Sequence, residues 1–279
     1  MQITRVITER LSGENMLTDS QFATYHTEGF VVVPDVIPPA DLALVRDDVE
    51  TLFALDHPGR MLETDGTTVR GVHGCHQVSS LFDRLTRLPR LLGAAEQVLE
   101  SKVYVYQSKV NAKLALRGDV WPWHQDYIFW EREDGMRTPR AMNIALFLDD
   151  ATDFNGPLLF LPGSHLLGTV RTERRSAGDD WAANLKADLN YQLSPRQLAS
   201  VAADLGIRAA TGTAGSLLLF DPRLIHGSGT NMSPQDRRLL LITYNSVDNV
   251  PVPVPNPRPE FLVSTDTTAL TAWEAGLGA

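Results

Sequence analysis

His124 and Asp126 stand two residues apart, and His226 lies far downstream in Leu224-Ile225-His226-Gly227-Ser228. On an extended strand, side chains at i and i+2 point to the same face, so His124 and Asp126 can converge on one metal ion. A distant histidine at the end of a later strand supplies a third donor. Two imidazoles and one carboxylate on one face of an octahedron suit Fe(II), and leave open positions for a bidentate co-substrate and dioxygen.

A histidine and an aspartate at this spacing are common by accident, so the weight comes from an arginine further along the chain. Arg237 lies just before the apolar run Leu239-Leu240-Leu241-Ile242-Thr243-Tyr244. At the start of such a strand an arginine can reach back into a barrel and hold a carboxylate with two parallel hydrogen bonds. Its neighbour Arg238 must then face the other way, as a solvated strand-end charge.

The rest of the chain must place these groups. Thr18-Asp19-Ser20-Gln21 has the pattern of a capped helix start, with the helix running to Gly29. Phe30–Val33 reads as a short β-branched strand. Pro39 opens a second helix whose Leu42, Val45, Val49, Leu52 and Phe53 recur at helical spacing. Leu88 to Leu99 reads as a third. From Val103 onward strands take over: Val103–Asn111, Ala141–Leu148, Gly215–Phe220 and Leu239–Tyr244, with turn signals at Asn155-Gly156-Pro157, Pro162-Gly163-Ser164 and Asp221-Pro222. Early helices followed by many strands indicate an α+β fold. Residues 1–17 read as a loose N-terminal arm. Residues 171–206 interrupt the strands, with a helix between Ser194-Pro195 and Gly206, and form a candidate lid.

Composition narrows the function classes. A chain of 279 residues with no internal repeat is expected to form a single domain. The net charge of −9, with no basic face, argues against nucleic acid as a partner. One cysteine, Cys75, excludes internal disulfides. With no apolar leader or membrane-length stretch, the expected setting is cytoplasmic, as a monomer or weak homodimer.

Several ordered motifs carry a narrower resemblance: Gln107-Ser108-Lys109-Val110-Asn111, Trp123-His124-Gln125-Asp126-Tyr127, Glu133-Asp134-Gly135-Met136, Asn155-Gly156-Pro157, Leu161-Pro162-Gly163-Ser164-His165 and Arg258-Pro259-Glu260-Phe261. Together they resemble the Fe(II)/2-oxoglutarate dioxygenases of the phytanoyl-CoA dioxygenase superfamily. Within it the chain looks most like the leucine-type hydroxylases of free amino acids and the ectoine hydroxylases. The resemblance spans about residues 18 to 268.

It implies a double-stranded β-helix, the jelly roll of the cupins, with the early helices as outer supports. It implies Fe(II) on His124, Asp126 and His226, and 2-oxoglutarate on Arg237, with Gln107, Asn111 and Ser164 lining its pocket. Dioxygen would be the oxidant, and the presence of Asp126 favours hydroxylation over halogenation. Ser164 could instead serve only to fix its turn. Gln125 and Tyr127 replace the serine and phenylalanine of ectoine hydroxylases, which argues against ectoine as substrate.

The expected substrate is a small zwitterion: a free amino acid, leucine-like or cyclic, hydroxylated at an unactivated carbon. Arg70, for its carboxylate, Tyr127 and Trp130 are candidates for its pocket; a surface ion pair and core packing are the bland alternatives. Two rival functions remain: hydroxylation of a larger apolar acid or carrier-bound acyl group, and a metal-binding jelly-roll sensor without turnover. His73 and His76 are three residues apart, but no cluster of carboxylates or thiolates supports a second metal site there, and Cys75 between them reads as a small buried hydrophobe.

Overall fold

The computed structural model describes residues 16–172, 174, 181, 185 and 189–278. The expected arm falls almost wholly outside them, as do residues 173, 175–180, 182–184 and 186–188 of the expected lid.

Helix α1 (Asp19–Glu28) starts with the reciprocal cap anticipated at Thr18 and Gln21, and stops at Gly29, whose φ of 83° is left-handed. Strand β1 (Phe30–Val33) follows, then α2 (Pro39–Ala54), with proline in its first turn. Leu42, Val45, Val49 and Leu52 form its buried stripe. Strands β2 (Arg60–Leu62) and β3 (Val69–His73) and helices α3 (Cys75–Val78), α4 (Ser80–Thr86) and α5 (Pro89–Leu99) complete the first third. The remainder comprises β4 (Val103–Lys113), β5 (Trp121–His124), α6 (Asp126–Glu133), β6 (Ala141–Phe147), β7 (Leu158–Phe160), α7 (Pro195–Leu205), β8 (Arg208–Ala210), β9 (Leu217–Phe220), β10 (His226–Ser228) and β11 (Arg237–Ser246).

Two antiparallel sheets result. The larger has the order β1-β9-β6-β11-β4-β3-β2, the smaller β5-β10-β7-β8. Alternation along β11 shows how the layers stack. Leu240, Ile242 and Tyr244 join the core beneath the helices, with Val45, Val49, Leu85 and Leu91. Leu239 and Leu241 point the other way and meet Phe147, Leu158, Phe160 and Phe220 between the sheets. Each fully buried Val or Leu contributes roughly 1.5–3 kcal/mol, so these layers dominate the driving force. The architecture is the expected helix-supported jelly roll. Among the described residues no helix is long and apolar enough to cross a membrane.

A β-bulge interrupts the pairing of β11 with β4: Thr243 pairs with Gln107, but Tyr244 pairs with Val105. Tyr106 is the extra residue. It changes the parity of β4, so Tyr104 and Tyr106 share a side with Gln107, Lys109 and Asn111.

Candidate metal centre and surrounding chamber

The triad assembles at the junction of β5, α6 and β10. His226 and His124 are direct partners across the ladder joining β10 to β5. Their rings lie 4.2 Å apart between centroids. Asp126 differs from the expected placement: it is the first residue of α6, not a strand residue. The i, i+2 convergence survives because Gln125, at φ −117° and ψ 137°, is still extended. A carboxylate in the first turn is also favoured by the helix dipole. Asp126 Oδ1 lies 3.6 Å from His124 Nε2, and Oδ2 lies 3.8 Å from His226 Nε2. Donor atoms of all three fall within 4.8 Å of one another, and this is the one such group among the described residues. His73 and His76 therefore form no second centre there.

The donor set fits Fe(II). His124 Nδ1 is 2.6 Å from the Pro122 carbonyl and His226 Nδ1 is 2.9 Å from that of Leu224. A ring nitrogen bonded to a carbonyl carries the proton, which leaves each Nε2 free as a donor to metal. Burial, with His124 nearby, pushes the His226 imidazole down to about 4, so it is neutral at pH 7. Burial alone would raise the Asp126 carboxyl, but His226, His124 and Lys109 together outweigh it and keep it ionised. An outer chain fixes the carboxylate: Thr243 Oγ1 donates to Asn143 Oδ1 (2.6 Å), and Asn143 Nδ2 donates to Asp126 Oδ2 (2.8 Å).

A chamber opens from the triad. Gln107, Lys109 and Asn111 line it from β4, His73 from β3, Trp121 from β5, Phe129 and Trp130 from α6, and Arg237 from β11. At one end Arg237, 1% exposed, holds the Gly156 carbonyl through Nε (3.1 Å) and Nη2 (2.9 Å). Its buried Nη1 has no partner, and neither has the buried Ser228 Oγ on the same wall. Two unsatisfied donors beside a metal triad fit an anionic co-substrate. Arg238 faces the helices, where it binds Asp149 (2.9 Å) and Glu50 (2.6 Å).

Lys113, the ladder partner of Arg237, is 1% exposed. It donates to the carbonyls of Gly229 (2.6 Å) and Asp119. Burial, then Arg237 and Arg70, push its amine down to about 6. Between that value and the ordinary one of about 10.5 the unfolded chain binds a proton that the folded chain does not, so stability rises with pH. The expected slope from this group is about 1.4 kcal/mol per pH unit. Urea unfolding of wild type and Lys113→Met at about pH 7 and 8.5 checks it. Equal pH dependence in the two proteins would show that Lys113 is charged in the fold.

Not every anticipated residue reaches the chamber. Trp130, Gln107 and Asn111 do. Arg70 is absent from its lining: the guanidinium pairs with Glu63 (2.8 Å), donates to the Val120 carbonyl (2.8 Å) and stacks 3.8 Å from the Trp121 ring centre. It supports a wall from behind. Tyr127 packs in the aromatic cluster, its hydroxyl 3.3 Å from the Met136 carbonyl. Gln125 ties down the Gly168 and Val170 backbone (2.9 and 2.7 Å). Ser164 Oγ accepts from the Ile225 amide (2.9 Å) and so holds the strand entry to His226, the turn-fixing role. His165 Nε2, 3.1 Å from the His26 carbonyl, likewise holds its loop.

Other lining residues went unassigned in the sequence. Ser228 is two residues beyond His226, the same spacing argument as His124 and Asp126. Lys109 lies between Gln107 and Asn111 at matching parity; burial lowers its amine, Arg258 adds to this, and Asp126 opposes. Arg258 comes from the C-terminal segment, its Nε 2.7 Å from Asp134 Oδ1, while Tyr106 donates to the same carboxylate. Leu185 and Leu189, within the expected lid, also line the chamber.

Known proteins resemble this chain in sequence and in fold. The family model of phytanoyl-CoA dioxygenase (PhyH) matches residues 25–239. An L-proline trans-4-hydroxylase of Streptomyces griseoviridis is 44% identical over 255 residues, 90% of this chain and 94% of that protein. An ectoine dioxygenase of Halomonas elongata is 36% identical over 253 residues, covering 88% and 76%. The crystal structure of EctD from S. alaskensis with 2-oxoglutarate and 5-hydroxyectoine superposes with a TM-score of 0.82 at 29% identity, covering 96% of this chain and 91% of that one. With a jelly roll, a two-histidine-one-carboxylate centre and a family match over most of its length, the chain belongs to the phytanoyl-CoA dioxygenase family.

Proposed function

We propose that this protein is an Fe(II)- and 2-oxoglutarate-dependent dioxygenase that hydroxylates a free cyclic amino acid, with L-proline as the first substrate to test. The observation that carries the reading is one chamber holding both the triad and the unpartnered Arg237 Nη1. The likeness to an L-proline hydroxylase favours the cyclic over the leucine-like substrate. The molecule works as a single domain.

His124, Asp126 and His226 hold the metal. Arg237 and Ser228 receive the distal carboxylate of 2-oxoglutarate, with Asn111 beside them. Bound Fe(II), with 2-oxoglutarate and dioxygen, supplies oxidising power sufficient for an unactivated C–H bond. The protein's own task is placement. Lys109 and Arg258 face the chamber, and they replace Arg70 as anchors for the substrate carboxylate. Phe129 and Trp130 form an apolar wall against which a small ring packs, and Leu185 and Leu189 help to exclude water. Asp134 is 1% exposed at its side chain and grips Arg258 bidentately, so this anchor is rigid.

Incubation with Fe(II), 2-oxoglutarate and L-proline should give a product heavier by one oxygen atom, with equimolar succinate. The methyl ester should not turn over, because it offers no carboxylate. Turnover only with thioesters would favour a carrier-bound acyl substrate, and iron binding without succinate release would favour a sensor. Arg258→Gln should raise the KM for the amino acid by about 10- to 100-fold, the usual cost of losing a charged hydrogen bond. An equal rise in the KM for 2-oxoglutarate would assign Arg258 to the co-substrate instead.

A further inference from the structure

Resting on that reading, we propose that His73 is a specificity-determining residue that accepts a hydrogen bond from the substrate's ammonium group. A zwitterion brings a positive end into a chamber already rich in positive charge. Lys109, Arg237 and Arg258 line it, and among the described residues the one carboxylate on its wall, Asp126, belongs to the metal triad. No other described carboxylate lines the chamber to pair with the ammonium. Neutral acceptors must therefore receive its hydrogens, or they enter the chamber unsatisfied.

His73 has the properties such an acceptor needs. It ends β3 directly opposite Lys109 in the ladder with β4. The side chain lines the chamber, the residue is 4% exposed, and the buried Nδ1 has no hydrogen-bond partner. Its backbone is fixed, with the amide donating to the Gly59 carbonyl at 2.9 Å. Burial is the main influence on the ring, and Lys109, Arg258 and His57 reinforce it; all four lower the imidazole well below its ordinary value. The ring is thus neutral at pH 7, and a neutral imidazole keeps one nitrogen as an acceptor. Gln107 is the neighbouring neutral group, but its Nε2 is committed to the Leu262 carbonyl at 2.7 Å. That bond leaves its amide oxygen as a second acceptor. A secondary ammonium has two hydrogens to place, and His73 with Gln107 offers two acceptors.

The test compares L-proline with tetrahydrofuran-2-carboxylic acid, which has the same ring size and carboxylate but an ether oxygen in place of the ammonium. Binding to anaerobic enzyme loaded with Fe(II) and 2-oxoglutarate can be followed through the fluorescence of Trp121 and Trp130, both on the chamber wall. Wild type should prefer L-proline. His73→Phe should weaken L-proline by about 10- to 100-fold, the effect of stranding one buried donor, and leave the ether analogue within about 2-fold. His73→Asn, which restores an acceptor, should recover part of the preference. An unchanged KM for 2-oxoglutarate would show that the fold is intact. Equal weakening of both ligands in both variants, or of neither, would overturn the assignment of His73. Failure of wild type to bind or hydroxylate any free cyclic amino acid would instead overturn the underlying reading, and this inference with it.

Discussion

Single replacement of His124, Asp126 or His226 by alanine is expected to abolish formation of hydroxylated product and of substrate-coupled succinate. Three protein donors converge, and the described residues place no fourth metal-ligating group with them. Each loss therefore leaves two donors where a facial site requires three. The decline should exceed the roughly 10–100-fold that removing an outer partner of a metal ligand costs. Asn143→Ala offers that milder comparison, since Asn143 orients the Asp126 carboxylate without belonging to the triad. Iron content after desalting and single-turnover yield together check the result. Near-normal iron binding in all three alanine variants would sink the assignment.

Arg237→Ala should raise the KM for 2-oxoglutarate far more than the KM for the amino acid. The guanidinium is buried, and burial pushes it down only to about 9, so it remains charged at pH 7. Removing one partner of a buried ion pair costs about 2–5 kcal/mol, or roughly 30-fold to several thousand-fold in affinity. Arg238→Ala is the matched control. Its side chain lies on the opposite face of β11, bound to Asp149 and Glu50, so its loss should lower stability and spare the 2-oxoglutarate KM. The reverse pattern would mean that the arginine reaching the co-substrate has been misplaced by one residue.

How much of this was legible depended on element length and parity. The long strands of the larger sheet announce themselves: Val103–Lys113 and Arg237–Ser246 are long enough for alternation to show, and Arg237 is separated from Arg238 by that alternation alone. The helices declare their starts, at Thr18 and Gln21 and again at Ser194-Pro195. The smaller sheet was opaque, because β5, β7, β8 and β10 are three or four residues each and no period can be measured over so few. Helix α6 was hidden because Asp126 reads equally well as the next residue of a strand. Arg70 misled for a different reason: nothing local in the sequence says that Glu63 will neutralise it. Arg258 could not be placed by periodicity, since it sits in a segment with no regular secondary structure and is held at the chamber wall by its ion pair with Asp134.

That last segment gives the molecule an order of completion. β1 finds its ladder partner only in β9, and β4, already paired with β3 along one edge, gains a partner along the other only in β11. The wall near Gln107 is finished later still, when the Leu262 carbonyl accepts from Gln107 Nε2 and the Ser264 amide donates to the Tyr106 carbonyl. The bulge at Tyr106 makes this possible by setting two consecutive residues where the final segment can fasten to both. On a ribosome, which emits the chain from its N-terminus, the helices and the first strands must therefore wait with unpaired edges for residues made later. Arrest of synthesis anywhere between His226 and Arg258 would yield a chain that carries all three metal donors yet lacks a sealed place for a substrate. In the order of its own birth, this protein acquires the means to hold iron before the means to control what the iron oxidises.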